Sequence, residues 1–202
     1  MTDLESVGLE PLGEFAVRFA IPAGIDTRSL LDGLRALAGV TDAIVTDTHA
    51  CMVFEHQPPD PSDAIVAAQT QRVRREVCEH RIRVRYDGAD LDEIAAITSL
   101  SRDKIIALHG AVVYTVSFVG FMPGFAYLDS LDERLRLPRR SPPRTRVPAG
   151  SVAIAGSRTG IYPFASPGGW HLVGTAVDFV AFDPDRGATL ATGDRVRFEP
   201  AE

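Results

Sequence analysis

Residues 118–174 read FVGFMPGFAYLDSLDERLRLPRRSPPRTRVPAGSVAIAGSRTGIYPFASPGGWHLVG. They hold seven of the fourteen prolines, eight of the seventeen glycines and the only tryptophan. Seven arginines fall between Arg134 and Arg158. A polar stretch this rich in Gly and Pro would stay disordered. Here it is interleaved with Phe121, Phe125, Tyr127, Leu128, Val152, Ile154, Tyr162 and Trp170. Those side chains bury enough surface to offset the entropy of ordering a loop. The expected product is a set of ordered loops and short strands on one face of a β-rich domain.

Outward from this stretch the pattern stays β-like on the C-terminal side. Ala111–Phe118, Val177–Phe182 and Arg195–Glu199 read as strands, separated by Gly- and Pro-containing turns. Short strands with almost no helix predict a small β-barrel or sandwich over residues 111–202. Just upstream, Asp90–Ile97 and Arg102–His109 read as brief helices, the second capped by Ser101 and stopped by Gly110. They predict a helical connector over 89–110.

Residues 1–88 alternate differently. Glu14–Ile21 places Phe15, Val17, Phe19 and Ile21 at period two, the mark of a half-buried strand. A helix follows from Asp26 or Thr27 to about Ala38, ended by Gly39. Val40–Thr46 and Ala50–Glu55 read as strands. A second helix is expected from Ser62 or Asp63 to about Glu79, and a further strand over Arg81–Tyr86. The order β-α-β-β-α-β predicts a ferredoxin-like domain. The expected fold class is therefore α+β, a ferredoxin-like unit followed by a small β-barrel or sandwich.

Charge and composition narrow the function. The net charge of −6 argues against general affinity for nucleic acid or an anionic membrane. It is unevenly spread. Residues 121–175 carry seven Arg against Asp129, Asp132 and Glu133, a local +4, so the remainder carries −10. Cys51 and Cys78 sit in apolar settings and are expected as buried free thiols. The five histidines show no ligand spacing with Cys or carboxylates, so no metal site is expected. MTDLESVGLE lacks a signal pattern, and a cytoplasmic location is the expectation.

Four segments of the Gly/Pro-rich stretch can carry chemistry. Pro123-Gly124 is a turn pair that places Phe125 and Tyr127 beside a tight bend, where aromatics wall a pocket and a hydroxyl orients a ligand. Arg139, Arg140, Arg144 and Arg146 project from a backbone stiffened by proline, which suits recognition of carboxylates or phosphates. Gly156, Arg158 and Thr159 lie in a turn able to offer backbone N–H groups to an oxyanion, with Tyr162 shortly after. Ser166, Gly168, Gly169, Trp170 and His171 combine an open backbone, an indole and a titratable imidazole. No Ser-His-Asp or Cys-His order follows from the spacing, and no catalytic group is assigned.

The motifs FMPGFAYL, LDERLRLPRRSPPRTRVPAGSVAIAG and TGIYPFASPGGW closely resemble the allophanate hydrolase subunit 1 family. That family includes the B subunit of bacterial 5-oxoprolinase and the Kip-type inhibitor of a sporulation histidine kinase. The resemblance implies a C-terminal barrel of cyclophilin-like type and a partner, the homologous subunit 2 (the C subunit of 5-oxoprolinase), with a third subunit in the complex. It implies a small carboxylate or lactam as substrate and ATP as the cofactor of the whole complex, with none bound tightly by this chain. Two other roles occur in similar proteins: a binding module that inhibits a histidine kinase, and the carboxyltransferase half of a biotin-dependent urea carboxylase. This chain departs from the family in carrying Arg158 where Gln is usual, and in running from Gly174 into Thr175-Ala176-Val177 where a Gly-Arg-Thr-Pro turn is usual.

Overall fold

A computed structural model describes residues 8–21, 25–56 and 76–201. It divides into two compact units between Glu76 and Val77. The helix expected from Ser62 or Asp63 lies outside the described residues up to position 75. Glu76 to Cys78 are non-helical, and Glu79 opens a strand.

The first unit is an antiparallel sheet backed by a helix. Strands β1 (Leu9–Pro11), β2 (Ala16–Ala20), β3 (Val40–Val45) and β4 (His49–Phe54) take the spatial order β1-β2-β4-β3. Alternation fixes which face is apolar. Val17 and Phe19 of β2 and Ala50, Met52 and Phe54 of β4 point to one side. Helix α1 (Thr27–Arg35) covers that side with Leu30 and Leu34. The Asp26 carboxylate caps it, accepting from the amides of Arg28 at 3.3 Å and Ser29 at 3.2 Å.

The second unit is the barrel. Its strands are β5 (Glu79–Arg85), β6 (Val113–Val119), β7 (Ala126–Asp129), β9 (Ser151–Ala155), β10 (Arg158–Ile161), β12 (His171–Val177) and β15 (Arg195–Pro200). They close in the order β10-β7-β6-β15-β5-β12-β9, with β9 paired back to β10. Two short ribbons lie outside the ring: β8 (Arg144–Val147) with β11 (Ser166–Gly168), and β13 (Phe182–Asp183) with β14 (Gly187–Ala188). Helices α2 (Leu91–Thr98) and α3 (Arg102–Gly110) contribute Leu91, Ile94, Ile105 and Leu108 to the same core as Ile82, Val84, Val152, Val173, Val196 and Phe198. The expected connector is thus part of the barrel unit.

The fold class stands as read: a mixed α and β chain that ends in a closed barrel. One strand has a different partner. The segment expected to complete the N-terminal sheet is β5, and it belongs to the barrel. It runs parallel to β15, with Ile82 opposite Phe198, and antiparallel to β12, with Val84 opposite Ala176. The edge strand in the first unit is instead the three-residue β1. Alternation at Ile82 and Val84 reveals a half-buried strand, but which sheet accepts it depends on residues 90 or more positions away.

A polar chain crosses the barrel core. His109 is fully buried and stacks on Phe198 with ring centroids 4.7 Å apart. The Thr159 hydroxyl donates to the Ala153 carbonyl at 2.9 Å, so it accepts from Nε2–H of His109 at 3.0 Å. The other ring nitrogen, Nδ1, then accepts the Tyr86 hydroxyl proton at 2.9 Å. Every polar atom is satisfied only by neutral imidazole. Burial pushes the His109 pKa down to about 3. The unfolded chain takes up a proton near pH 6.5 that the folded chain refuses, so stability is complete above that pH and is lost as pH falls toward 3. Between pH 7 and pH 5 this group alone is expected to remove about 2 kcal/mol, measured by urea denaturation. His109→Gln should show a correspondingly flatter pH dependence, and the same slope in both proteins would exclude His109 as the source.

Candidate functional site

The Pro- and Arg-rich loop is fastened by a carboxylate from outside it. Asp90 immediately precedes α2 but makes no side-chain cap. Its side chain is 3% exposed and turns toward the loop. Arg140 Nη1 donates to it at 2.9 Å, Arg144 donates through Nη1 at 2.9 Å and Nη2 at 2.5 Å, and the Leu172 amide donates at 2.7 Å. Arg140 also pairs with Glu93. Burial raises the Asp90 pKa, but the Arg144 and Leu172 hydrogen bonds and the two guanidinium charges outweigh it and hold the carboxyl below its usual range.

With the loop held there, an aromatic cleft forms against the outer side of the barrel. Phe125 is its hub. Its ring meets Phe121 edge-on at 5.6 Å, Tyr127 at 4.9 Å, Tyr162 at 5.2 Å and Trp170 at 5.5 Å. Such edge-to-face contacts fix ring orientations. Two glycines make the arrangement possible. Gly124 has φ +79, and a Cβ there would lie 2.7 Å from the Ala181 carbonyl oxygen. At Gly168 a Cβ would lie 2.4 Å from the Tyr162 hydroxyl. The cleft has two lobes, of about 260 and 220 Å³, that share Tyr127, Arg139 and Trp170. Arg139 is exposed, and no ion pair is seen for it among the described residues. Burial raises the Tyr127 pKa, opposed by the charges of Arg139 and Arg158, so its hydroxyl stays protonated and able to donate.

The expected site residues divide into three groups. Phe125, Tyr127, Arg139, Gly156, Arg158, Tyr162, Gly168, Gly169 and Trp170 line the cleft. Pro123, Gly124, Arg140 and Arg144 are outside its lining; Gly124 makes the close approach before Phe125, and Arg140 and Arg144 tie the loop to Asp90. Arg146, Thr159, Ser166 and His171 are not in its lining. Arg146 is exposed on β8, and Ser166 is paired in β11 opposite Val147. Thr159 is the barrel-core partner of His109. His171 is buried, with Nε2 3.0 Å from the Pro138 carbonyl and Nδ1 without a partner among the described residues. Asp90 escaped the sequence reading because an Asp at the start of a helix reads as a cap. The pre-cleft residue Phe121 gave a clearer sign: an aromatic before Met-Pro-Gly, it takes φ 70 and is 64% exposed at the cleft rim.

The family described as carboxyltransferase domain, subdomain C and D, matches residues 10–191. The chain belongs to that family. The 5-oxoprolinase B subunit of Escherichia coli O157:H7 is 41% identical over 174 residues, covering 81% of this chain and 79% of that protein. The resemblance read from the motifs is thus borne out. The crystal structure of TTHA0988 superposes with a TM-score of 0.78 at 37% identity, over 93% of this chain but only 40% of that one. The K. lactis urea amidolyase shares the fold alone, at 17% identity and a TM-score of 0.70 over 96% of this chain and 15% of that one. Against this family background, Arg158 has a visible local role. Its Nε donates to Asp129 at 2.6 Å, and its guanidinium lies 5.0 Å from the Phe118 ring centroid and 5.9 Å from that of Tyr127.

Anchoring and lining residues should separate experimentally. Asp90→Ala leaves Arg144 and the Leu172 amide without this acceptor, leaves Arg140 with Glu93 alone, and is expected to cost about 3–5 kcal/mol of unfolding free energy in urea. Arg140→Ala should also lower stability, by less. Arg139→Ala should stay within about 0.5 kcal/mol of the parent. An Asp90→Ala protein as stable as the parent would show that the loop is held by other contacts.

Proposed function

We propose that this chain is the B-type subunit of a system that opens a cyclic amide, 5-oxoproline or a close analogue, with ATP. It acts with a partner of the subunit 2 type, resembling the C subunit of 5-oxoprolinase, and with a third subunit. One observation carries the reading: an uncommitted guanidinium, Arg139, over a floor of aromatic rings in a cleft of small-molecule size. The kinship with the 5-oxoprolinase B subunit supports the substrate class.

A five-membered lactam carboxylate has two features to recognise. Its flat apolar ring suits Phe125, Tyr127 and Trp170, and its carboxylate suits Arg139, which offers paired N–H donors. The Tyr127 hydroxyl, kept protonated by burial, can donate to the lactam oxygen. Hydrolysis of this amide is helped by phosphorylation of that oxygen. The lactam oxygen takes the γ-phosphoryl group of ATP and releases ADP; one water adds at the carbon and expels the ring nitrogen as an amine, leaving an acyl phosphate, and a second water cleaves that to the carboxylate and inorganic phosphate. Arg139 and Arg158 place positive charge where the phosphorylated intermediate gathers negative charge. The partner subunits supply the remainder of the site and ATP.

The test is reconstitution. The chain co-expressed with its C-type and A-type partners is expected to release glutamate from 5-oxoproline only when ATP is present. In that complex Arg139→Ala should lower kcat/KM by at least about tenfold, equivalent to about 1.4 kcal/mol, with an unchanged melting temperature. Full activity in the variant would remove the cleft from the mechanism. A parent complex inert toward 5-oxoproline would remove the substrate class.

A further inference from the structure

Cys78, His80 and Asp194 lie far from the cleft residues in sequence and take no part in it, yet they form a group of potential ligands. Strand alternation brings them together. His80, Ile82 and Val84 share the inward face of β5, and Val196 and Phe198 share that of β15. Because β5 and β15 run parallel with Arg195 opposite Glu79, Cys78 and Asp194, the residues just before the two strands, lie together at one end of the barrel. A core layer ends there in a thiol, an imidazole and a carboxylate. Cys78, expected to be buried, is exposed, so the thiol is accessible.

We propose that Cys78, His80 and Asp194 bind a divalent transition-metal ion of the zinc class, with water as the fourth ligand. The distances fit. His80 Nε2 and Asp194 Oδ2 are 3.2 Å apart. A tetrahedral zinc with bonds of about 2.0–2.1 Å to nitrogen and oxygen separates such atoms by about 3.3 Å. The three ligand atoms all lie within 4.8 Å of one another. With a Zn–S bond of about 2.3 Å, the sulfur needs to come to about 3.6 Å from its neighbours. A turn of the exposed Cys78 side chain supplies that movement.

The carboxylate is already oriented. Asp194 is 3% exposed, and its oxygens accept from the Cys78 amide at 3.3 Å and the Ala191 amide at 2.9 Å. Those second contacts hold a ligand in place as outer-shell bonds do in metal sites. A thiolate, an imidazole and a single carboxylate together suit a borderline-soft ion better than a hard cation such as magnesium or calcium. Binding releases the thiol proton of Cys78 to solvent. The imidazole stays neutral, with its proton on Nδ1 and Nε2 on the metal.

Cobalt(II) is the probe, titrated into the metal-free full chain and then displaced with zinc. One equivalent should produce an intense thiolate-to-cobalt charge-transfer band and visible d–d bands of tetrahedral strength, both removed by zinc. Cys78→Ser should abolish the charge-transfer band, and His80→Gln should weaken cobalt binding by at least about tenfold. Cys51→Ser should leave both unchanged. No charge-transfer band in the parent, or a band that survives in Cys78→Ser, would overturn the site. So would cobalt affinity unaffected by His80→Gln, which would mark adventitious binding through a lone thiol.

Discussion

The carboxylate of Asp90 is the constraint on which the functional face depends. It is withdrawn from water, and that would be costly for an isolated anion. Four hydrogen bonds from three separate segments make the burial tolerable: one from Arg140, two from Arg144 and one from the Leu172 amide. Those segments are the proline-rich loop, β8 and β12. Without the carboxylate, Arg144 would lose its bidentate partner and Arg140 would keep only the half-exposed Glu93. The loop therefore has one low-energy position, and that position forms a wall of the aromatic cleft. A buried pair of this kind specifies geometry more than it adds stability.

The cleft shows how an exposed cation can be kept available. Of the arginines around it, Arg140 and Arg144 are consumed by Asp90, and Arg158 is held by Asp129. Arg139 lies between these anchored neighbours with its guanidinium in the cleft mouth. The rings beneath it are oriented by edge contacts around Phe125, and Gly124 and Gly168 let the backbone come close enough for those contacts. An anion entering the cleft meets a floor of oriented rings and the exposed charge of Arg139. Most of the ordering cost is met before binding.

Much of this was legible in the chain itself. Alternation at Val17/Phe19 and at Ala50/Met52/Phe54 marked the first sheet, and the mixture of aromatics with Gly and Pro marked the cleft. What stayed hidden were choices of partner. Arg139 and Arg140 are adjacent and chemically equal, and only the distant Asp90 distinguishes the free one from the tied one. Thr159 stands in a turn-like Gly-rich segment, but β10 runs from Arg158 and turns Thr159 into the core, where His109 waits. Ile82 and Val84 announced a strand without naming its sheet. That Cys78 and His80 gather beside Asp194, 114 residues from His80, left no mark in local spacing. In each case the deciding contact was long-range, and local pattern holds no record of it.

The parallel pairing of β5 with β15 has a consequence for how the molecule is made. Synthesis is vectorial, and the ring closes only when β15 is inserted between β5 and β6. Until Arg195–Pro200 has left the ribosome, β5 and β6 present open hydrogen-bonding edges and the inward faces of Ile82 and Tyr114 lack their cover. Among the described residues, the strands of the first unit pair only with one another, so that sheet faces no such delay. The barrel, by contrast, carries a high contact order and a waiting period in which an unpaired edge is exposed to aggregation or to chaperones.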